Sequence, residues 1–261
     1  MGRKTGRMNI LVSNDDGIDA RGIRELVEAL SEVADVYVCA PDGQRSASSH
    51  AITTGRTIHA SERAFPGAVT AFAMDGTPAD CVKLGFRILN ARGVSIDMVF
   101  AGINHGSNLG TDTLYSGTVA AAMEGTICGV PSVAVSVGSH EAEYFGYARK
   151  LAVKAVTETA GKVPADMVIN INVPNIPEDQ VRGVRYTVVG DRDYDEKFSP
   201  EEAAKTEIDY RYSGAPLMYE GLPDILDVIS DQKGYATITP LHRDMTYYGW
   251  MEELRSWGID K

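Results

Sequence analysis

The run Ile10-Leu11-Val12-Ser13-Asn14-Asp15-Asp16-Gly17 ends an apolar strand with two consecutive carboxylates and a glycine. Neighbouring side chains of an extended strand point to opposite faces. Asp15 and Asp16 therefore converge on one ion only where the chain turns, and Gly17 permits that turn. The structural alternative is a βα turn whose aspartates cap the next helix. Two more polar loops follow apolar strands. Ala40-Pro41-Asp42-Gly43-Gln44-Arg45-Ser46-Ala47-Ser48-Ser49-His50 is rich in hydroxyls, and residues 101–110 interleave Asn104 and Asn108 with three glycines. The second pattern suits close backbone approach to a ligand better than simple chain reversal. Ser116, Gly117 and Thr118 then open a helix, whose unpaired N–H groups and positive dipole end can bind phosphate, or which they merely cap.

These loops need a frame. Apolar runs predict strands at 9–13, 36–40, 69–73, 98–101, 133–137 and 167–171. Apolar positions at helical spacing, such as Ile23, Leu26, Val27 and Leu30, predict helices at 20–33, 78–91, 117–127 and 144–160. Thr77 before Pro78 reads as an N-cap with proline at the first helical position. Alternation of this kind implies a mostly parallel sheet covered on both faces, with ligands at the carboxyl ends of the strands, where all three loops fall. Residues 181–261 break the alternation and read as an appendage, with strand-like runs at 184–189 and 236–239 and a helix-like segment at 247–257. Their aromatic residues, Tyr186, Tyr194, Tyr210, Tyr212, Tyr235, Trp250 and Trp257, lie outside that frame and call for a partner surface.

Composition excludes several classes of function. The chain has 261 residues, 44% hydrophobic and 23% charged, which suits one large α/β domain or a core with an appendage. No stretch reaches the ~20 apolar residues of a membrane span, and residues 1–7 form a short basic extension rather than a signal peptide. Cys39, Cys81 and Cys128 are odd in number and widely spaced, as expected of reduced core thiols in a cytoplasmic protein. A formal charge of −11 argues against a nucleic-acid polymer as partner. An anionic substrate must be small and locally neutralised, for instance by a metal. No two glycines are separated by one residue and no phosphate-loop motif occurs, which weakens dehydrogenase and NTPase readings. Asp191, Asp193 and Asp195, after Val188-Val189-Gly190, resemble the nucleophile motif of haloacid-dehalogenase-like phosphatases but lack its following Thr or Val.

Ser13-Asn14-Asp15-Asp16-Gly17, Ala40-Pro41 with Arg45-Ser46-Ala47, Gly76-Thr77-Pro78-Ala79-Asp80-Cys81-Val82, Gly102-Ile103-Asn104 with Gly106 and Asn108, and Ser116-Gly117-Thr118-Val119-Ala120 together resemble the SurE family of survival-protein nucleotidases, in order and spacing. The resemblance implies a Rossmann-like three-layer α/β core over 8–180. It also implies a C-terminal appendage at 181–261, exchanged between subunits of a homodimer or homotetramer. It makes Asp15, Asp16, Ser46 and Asn104 the ligands of one divalent metal ion. The chemistry agrees, because two carboxylates, a hydroxyl and an amide oxygen form a hard site suited to Mg²⁺ or Mn²⁺. The implied reaction is hydrolysis of nucleoside 5′- and 3′-monophosphates by a metal-activated water, and the resemblance leaves short polyphosphate open as a further substrate. Asp15 or Asp16 would serve as general base, and Asn14, Asn108, Ser116, Gly117 and Thr118 would donate to phosphate oxygens. His105 and Ser107 stand where an arginine and a proline are commoner in the family. A non-catalytic nucleotide-binding or sensor module is the other function compatible with these residues.

Overall fold

The computed structural model describes residues 7–200 and 208–260, so of the basic extension only Arg7 is among the described residues. The chain alternates β1 (Met8–Ser13), α1 (Arg21–Ser31), β2 (Ala34–Pro41), β3 (Ala60–Arg63), β4 (Thr70–Met74), α2 (Pro78–Ala91), β5 (Met98–His105), α3 (Gly117–Ile127), β6 (Ser132–Val137), α4 (Gly146–Thr159) and β7 (Met167–Val173). There follow β8 (Val184–Tyr186), β9 (Lys197–Pro200), β10 (Tyr210–Ser213), α5 (Asp227–Gln232), β11 (Ala236–His242) and α6 (Met251–Ser256). Local chemistry sets the ends of two helices. The Thr77 hydroxyl accepts from the Asp80 N–H while the Asp80 carboxylate accepts from the Thr77 N–H, a capping box that starts α2 at Pro78. The Ser116 hydroxyl accepts from Val119 N and starts α3.

Nine strands form one sheet in the order β3-β4-β2-β1-β5-β6-β7-β11-β8. The pairings β3·β4 and β7·β11 are antiparallel, and all others in this sheet are parallel. Strand periodicity divides the core into two layers. Ile10 and Val12 of β1 pack with Ile23, Leu26 and Leu30 of α1 and Leu151 of α4. Leu11 faces the other way, with Val82 and Leu89 of α2 and Val119 of α3. Burial on both faces is why β1 reads as an unbroken apolar run. The result is a Rossmann-like three-layer α/β sandwich. β1 pairs with β2 on one side and β5 on the other, and successive strands wind outward from that pair in opposite directions. Such a switch point opens a crevice at the carboxyl ends of β1 and β5.

The boundary expected at 180/181 cuts through this sheet. β11 lies between β7 and β8, with Thr237 opposite Asn172 and Ile238 opposite both Ile171 and Tyr186. β8 and β11 thus complete the nine strands, while the β9–β10 hairpin and α6 stand outside them. An antiparallel strand and the six-residue α5 leave no βαβ signature, so this region looks separate in sequence. Among the described residues, no helix is long and apolar enough to cross a membrane.

Candidate active site

The first loop turns at Gly17, whose φ is +97°, and a Cβ there would lie 3.0 Å from the Gly43 backbone, so the first two loops touch. Arg45 N donates to Asp15 O at 2.6 Å. The second loop holds two non-glycine residues in the left-handed region, Ala47 and Ser49, and so depends on its anchors. Ser49 N donates to Tyr115 O at 3.0 Å and its hydroxyl to Leu114 O at 2.7 Å. His50 Nε2 lies 2.9 Å from Glu124 Oε2, and Lys83 Nζ lies 2.9 Å from Glu124 Oε1. Burial raises the pKa of Glu124, but the bonds from His50 and Lys83 outweigh it and hold the carboxyl below its ordinary value. Ser46, at the exposed crest, accepts from Gln44 Nε2 at 2.8 Å.

Asp15 is only 4% exposed. Thr118 donates to both of its oxygens, from the hydroxyl at 2.6 Å and from the N–H at 3.1 Å. α3 approaches this closely because residue 117 is glycine: a Cβ there would sit 2.9 Å from Asp15 Cβ and from Ser48 Oγ. Asp16 accepts from His105 N at 3.0 Å. Burial pushes the Asp15 carboxyl up to about 6, the neighbouring Asp16 charge adds to this, and the Thr118 bonds oppose it. Asp16 is also raised, chiefly by burial, against the bond from the His105 N–H and the electrostatic pull of the nearby His105 and His140 side chains. Among the described residues, no Lys or Arg pairs with either carboxylate.

Asn104 sits where the β5–β6 register shifts. Its Nδ2 donates to Gly106 O at 2.7 Å, which leaves Oδ1 free of hydrogen bonds among the described residues. Asp15, Ser46, Asn104, Asn108 and Ser116 line one cleft of about 1000 Å³. Among the described residues, no three His, Cys, Asp or Glu side chains are grouped so that they could hold a metal ion by themselves. Two raised carboxylates, Asp15 buried and Asp16 half-buried, together with a free amide oxygen and a hydroxyl fit a hard divalent cation, which would relieve their mutual repulsion.

Two expected phosphate donors are employed elsewhere. Both Thr118 donors bind Asp15. Asn14 is fully buried and its Nδ2 donates to Gly17 O at 2.8 Å, closing the turn. Thr118 therefore holds the Asp15 carboxylate and Asn14 holds the turn, and neither is among the residues lining the cleft. Asn108 faces the cleft but is also a hub, donating from Nδ2 to Ser136 Oγ and accepting at O from Asn170 and Asn172. Sequence reasoning missed Ser48, whose buried hydroxyl has no partner beside Gly117.

It also missed the opposite wall. Arg192 NH1 lies 2.9 Å from Ser107 Oγ and 3.3 Å from Asp112 Oδ2, and the Tyr194 hydroxyl donates to Asp112. Buried Asp227 accepts from Gly110 N and from Gly190 N, both at 2.9 Å, and so staples the third loop to this segment. A proline at 107 could not accept the Arg192 bond. His105, by contrast, serves Asp16 through a backbone N–H that any residue but proline supplies, while its ring packs on Phe145. Asp191, Asp193 and Asp195 follow the edge strand β8, not a central strand. Asp193 accepts from the Tyr219 hydroxyl and Asp195 pairs with Lys197. They form cleft wall and surface, in place of the nucleophile motif considered above. The signal for this wall was the cluster of aromatic residues itself: Tyr194 and Tyr212 line the cleft, and Tyr235 packs under Arg185 and Arg182.

The sequence profile described as "Survival protein SurE" matches residues 10–196. The protein named 5′-nucleotidase SurE from Pelotomaculum thermopropionicum is 43% identical over 250 residues, covering 95% of this chain and 94% of its own. That of Aeromonas hydrophila is 43% identical over 255 residues, covering 96% and 98%. The crystal structure of the SurE protein from Aquifex aeolicus superposes with a TM-score of 0.81 at 34% identity, covering 96% of this chain and 99% of that one. A profile match and relatives of this length, over a core of the same architecture, establish that the chain belongs to the SurE family.

Proposed function

We propose that the chain is a divalent-metal-dependent phosphatase that hydrolyses nucleoside 5′- and 3′-monophosphates, with short polyphosphate as a further substrate of the same site. The observation that carries this reading is the Asp15–Asp16 pair: Asp15 buried and Asp16 half-buried, both raised in pKa and held by N–H and O–H donors, at the switch point of the sheet. The printed names of the relatives support the nucleotidase class. Asp15, Asp16, Ser46 and Asn104 would hold Mg²⁺ or Mn²⁺. When bound, the ion supplies Lewis-acid polarisation of the phosphoryl group and an acidified water. Ser116 and Gly117, at the amino end of α3, offer donors and a positive dipole end to the phosphate oxygens, and the Ser48 hydroxyl of the second loop lies beside them. A carboxylate oxygen of Asp15 or Asp16 accepts the proton of the attacking water. The test is phosphate release from a panel of 5′- and 3′-nucleotides and polyphosphate with Mg²⁺ or Mn²⁺. Release from nucleotides that stops with EDTA and returns with metal supports the reading, and EDTA-resistant release or none overturns it.

A further inference from the structure

The part of the cleft lining built by residues 192–214 carries Phe198 and Tyr212, the carboxylates of Asp193 and Glu196, and the cation of Arg192. Phe198 of β9 and Tyr212 of β10 are cross-strand neighbours, with ring centroids 5.1 Å apart and planes inclined by 45°. Both line the cleft and stay 62% and 54% exposed, so the fold leaves large ring surfaces uncovered at the cleft. The Tyr212 hydroxyl donates to Glu196 at 3.1 Å, which fixes that ring. Asp112, Asp193 and Glu196 line the same side. Arg192 pairs with Asp112 at 3.3 Å, and Asp193 and Glu196 remain to repel a phosphate, which belongs instead at the amino end of α3. The part of the substrate that fits the hairpin side is neutral, planar and rich in π surface. On the nucleotidase reading above, we propose that Phe198 and Tyr212 form the platform on which the nucleobase stacks. Such stacking tolerates any base, because every base has a π face, while Glu196 offers an acceptor to bases bearing an amino group.

The test compares AMP with ribose 5-phosphate, which carries the same phosphate and sugar without a base. In the double variant Phe198→Ala, Tyr212→Ala, the ratio of kcat/KM for AMP to that for ribose 5-phosphate should fall about 5- to 150-fold, the equivalent of about 1–3 kcal/mol of base stacking. The loss should lie in KM. Phe198→Tyr and Tyr212→Phe, which keep the rings, should preserve the ratio. An unchanged ratio in the alanine variant, whether both substrates suffer or neither does, overturns the platform and leaves the nucleotidase reading standing. A wild-type chain that hydrolyses ribose 5-phosphate but no nucleotide overturns both.

Discussion

Thr118 holds Asp15 by both of its donors, hydroxyl to Oδ1 at 2.6 Å and backbone N–H to Oδ2 at 3.1 Å. The two residues are 103 positions apart, so one threonine locks the end of β1 to the start of α3. Thr118→Val keeps the shape and the N–H but removes the hydroxyl. Groups behind a metal ligand are typically worth about 10–100-fold in metal affinity or activity. Steady-state kinetics should show a loss of that size, and a rate within about twofold of wild type would mean that the hydroxyl does not orient Asp15.

Glu124 is 1% exposed and ties the Ser46 loop to α3 through His50. Glu124→Gln keeps the volume but removes the charge that both His50 and Lys83 face. Chemical denaturation should show a loss of about 1–3 kcal/mol, and phosphatase activity should fall as the loop loosens. Unchanged stability would show that the two contacts contribute nothing. The folded-state pKa of Glu124 is depressed, so its contribution is present above the unfolded-state value and is lost as pH falls through the folded one.

Asp231 in α5 behaves in the opposite sense. Burial pushes its carboxyl up to about 6 from 3.8, with Asp227 adding to the rise and Arg192 opposing it. Between those values the folded state binds more protons than the unfolded state, so stability falls as pH rises through that window. Asp231→Asn should therefore stabilise the protein at pH 7.5, by on the order of 2–3 kcal/mol. The gain should vanish below about pH 4. Thermal unfolding of both proteins across pH checks this, and a gain independent of pH would contradict it.

Tyr247, Tyr248, Trp250 and Trp257 are 42–73% exposed around α6, outside the sheet. Tyr186 and Tyr210 are also open, at 79% and 59%. A surface this aromatic is expected to be covered by another copy of the chain, as a homodimer or homotetramer. Light scattering at low micromolar concentration should report an oligomer, and a monomer alone would contradict the expectation.

What could be read in advance follows from the range of the interactions. α2 and α3 begin where their capping residues place them, because Thr77, Asp80 and Ser116 act within three residues. The central strands were legible because burial on both faces writes continuous apolar runs. β9 and β10 were not: all eight residues are exposed, so no alternation marks them. Nor was the use of Arg192, whose partners Ser107 and Asp112 are 80 or more positions away. Thr118 and Asn14 were legible as polar residues beside the site. Their roles as braces, however, depended on which atom faces which, and residue type alone does not specify that.

The central claim is that Asp15, Asp16, Ser46 and Asn104 meet at one divalent cation. Calorimetric titration of Mn²⁺ into the wild-type chain and into Asp15→Asn, Asp16→Asn, Ser46→Ala and Asn104→Ala tests it most directly, with circular dichroism to confirm the fold. The account predicts one site per chain, lost with either aspartate variant together with nearly all phosphatase activity. The Ser46 and Asn104 variants should weaken it less, because neutral oxygens stabilise a divalent charge less than carboxylates do. Wild-type affinity retained in all four variants would contradict the claim.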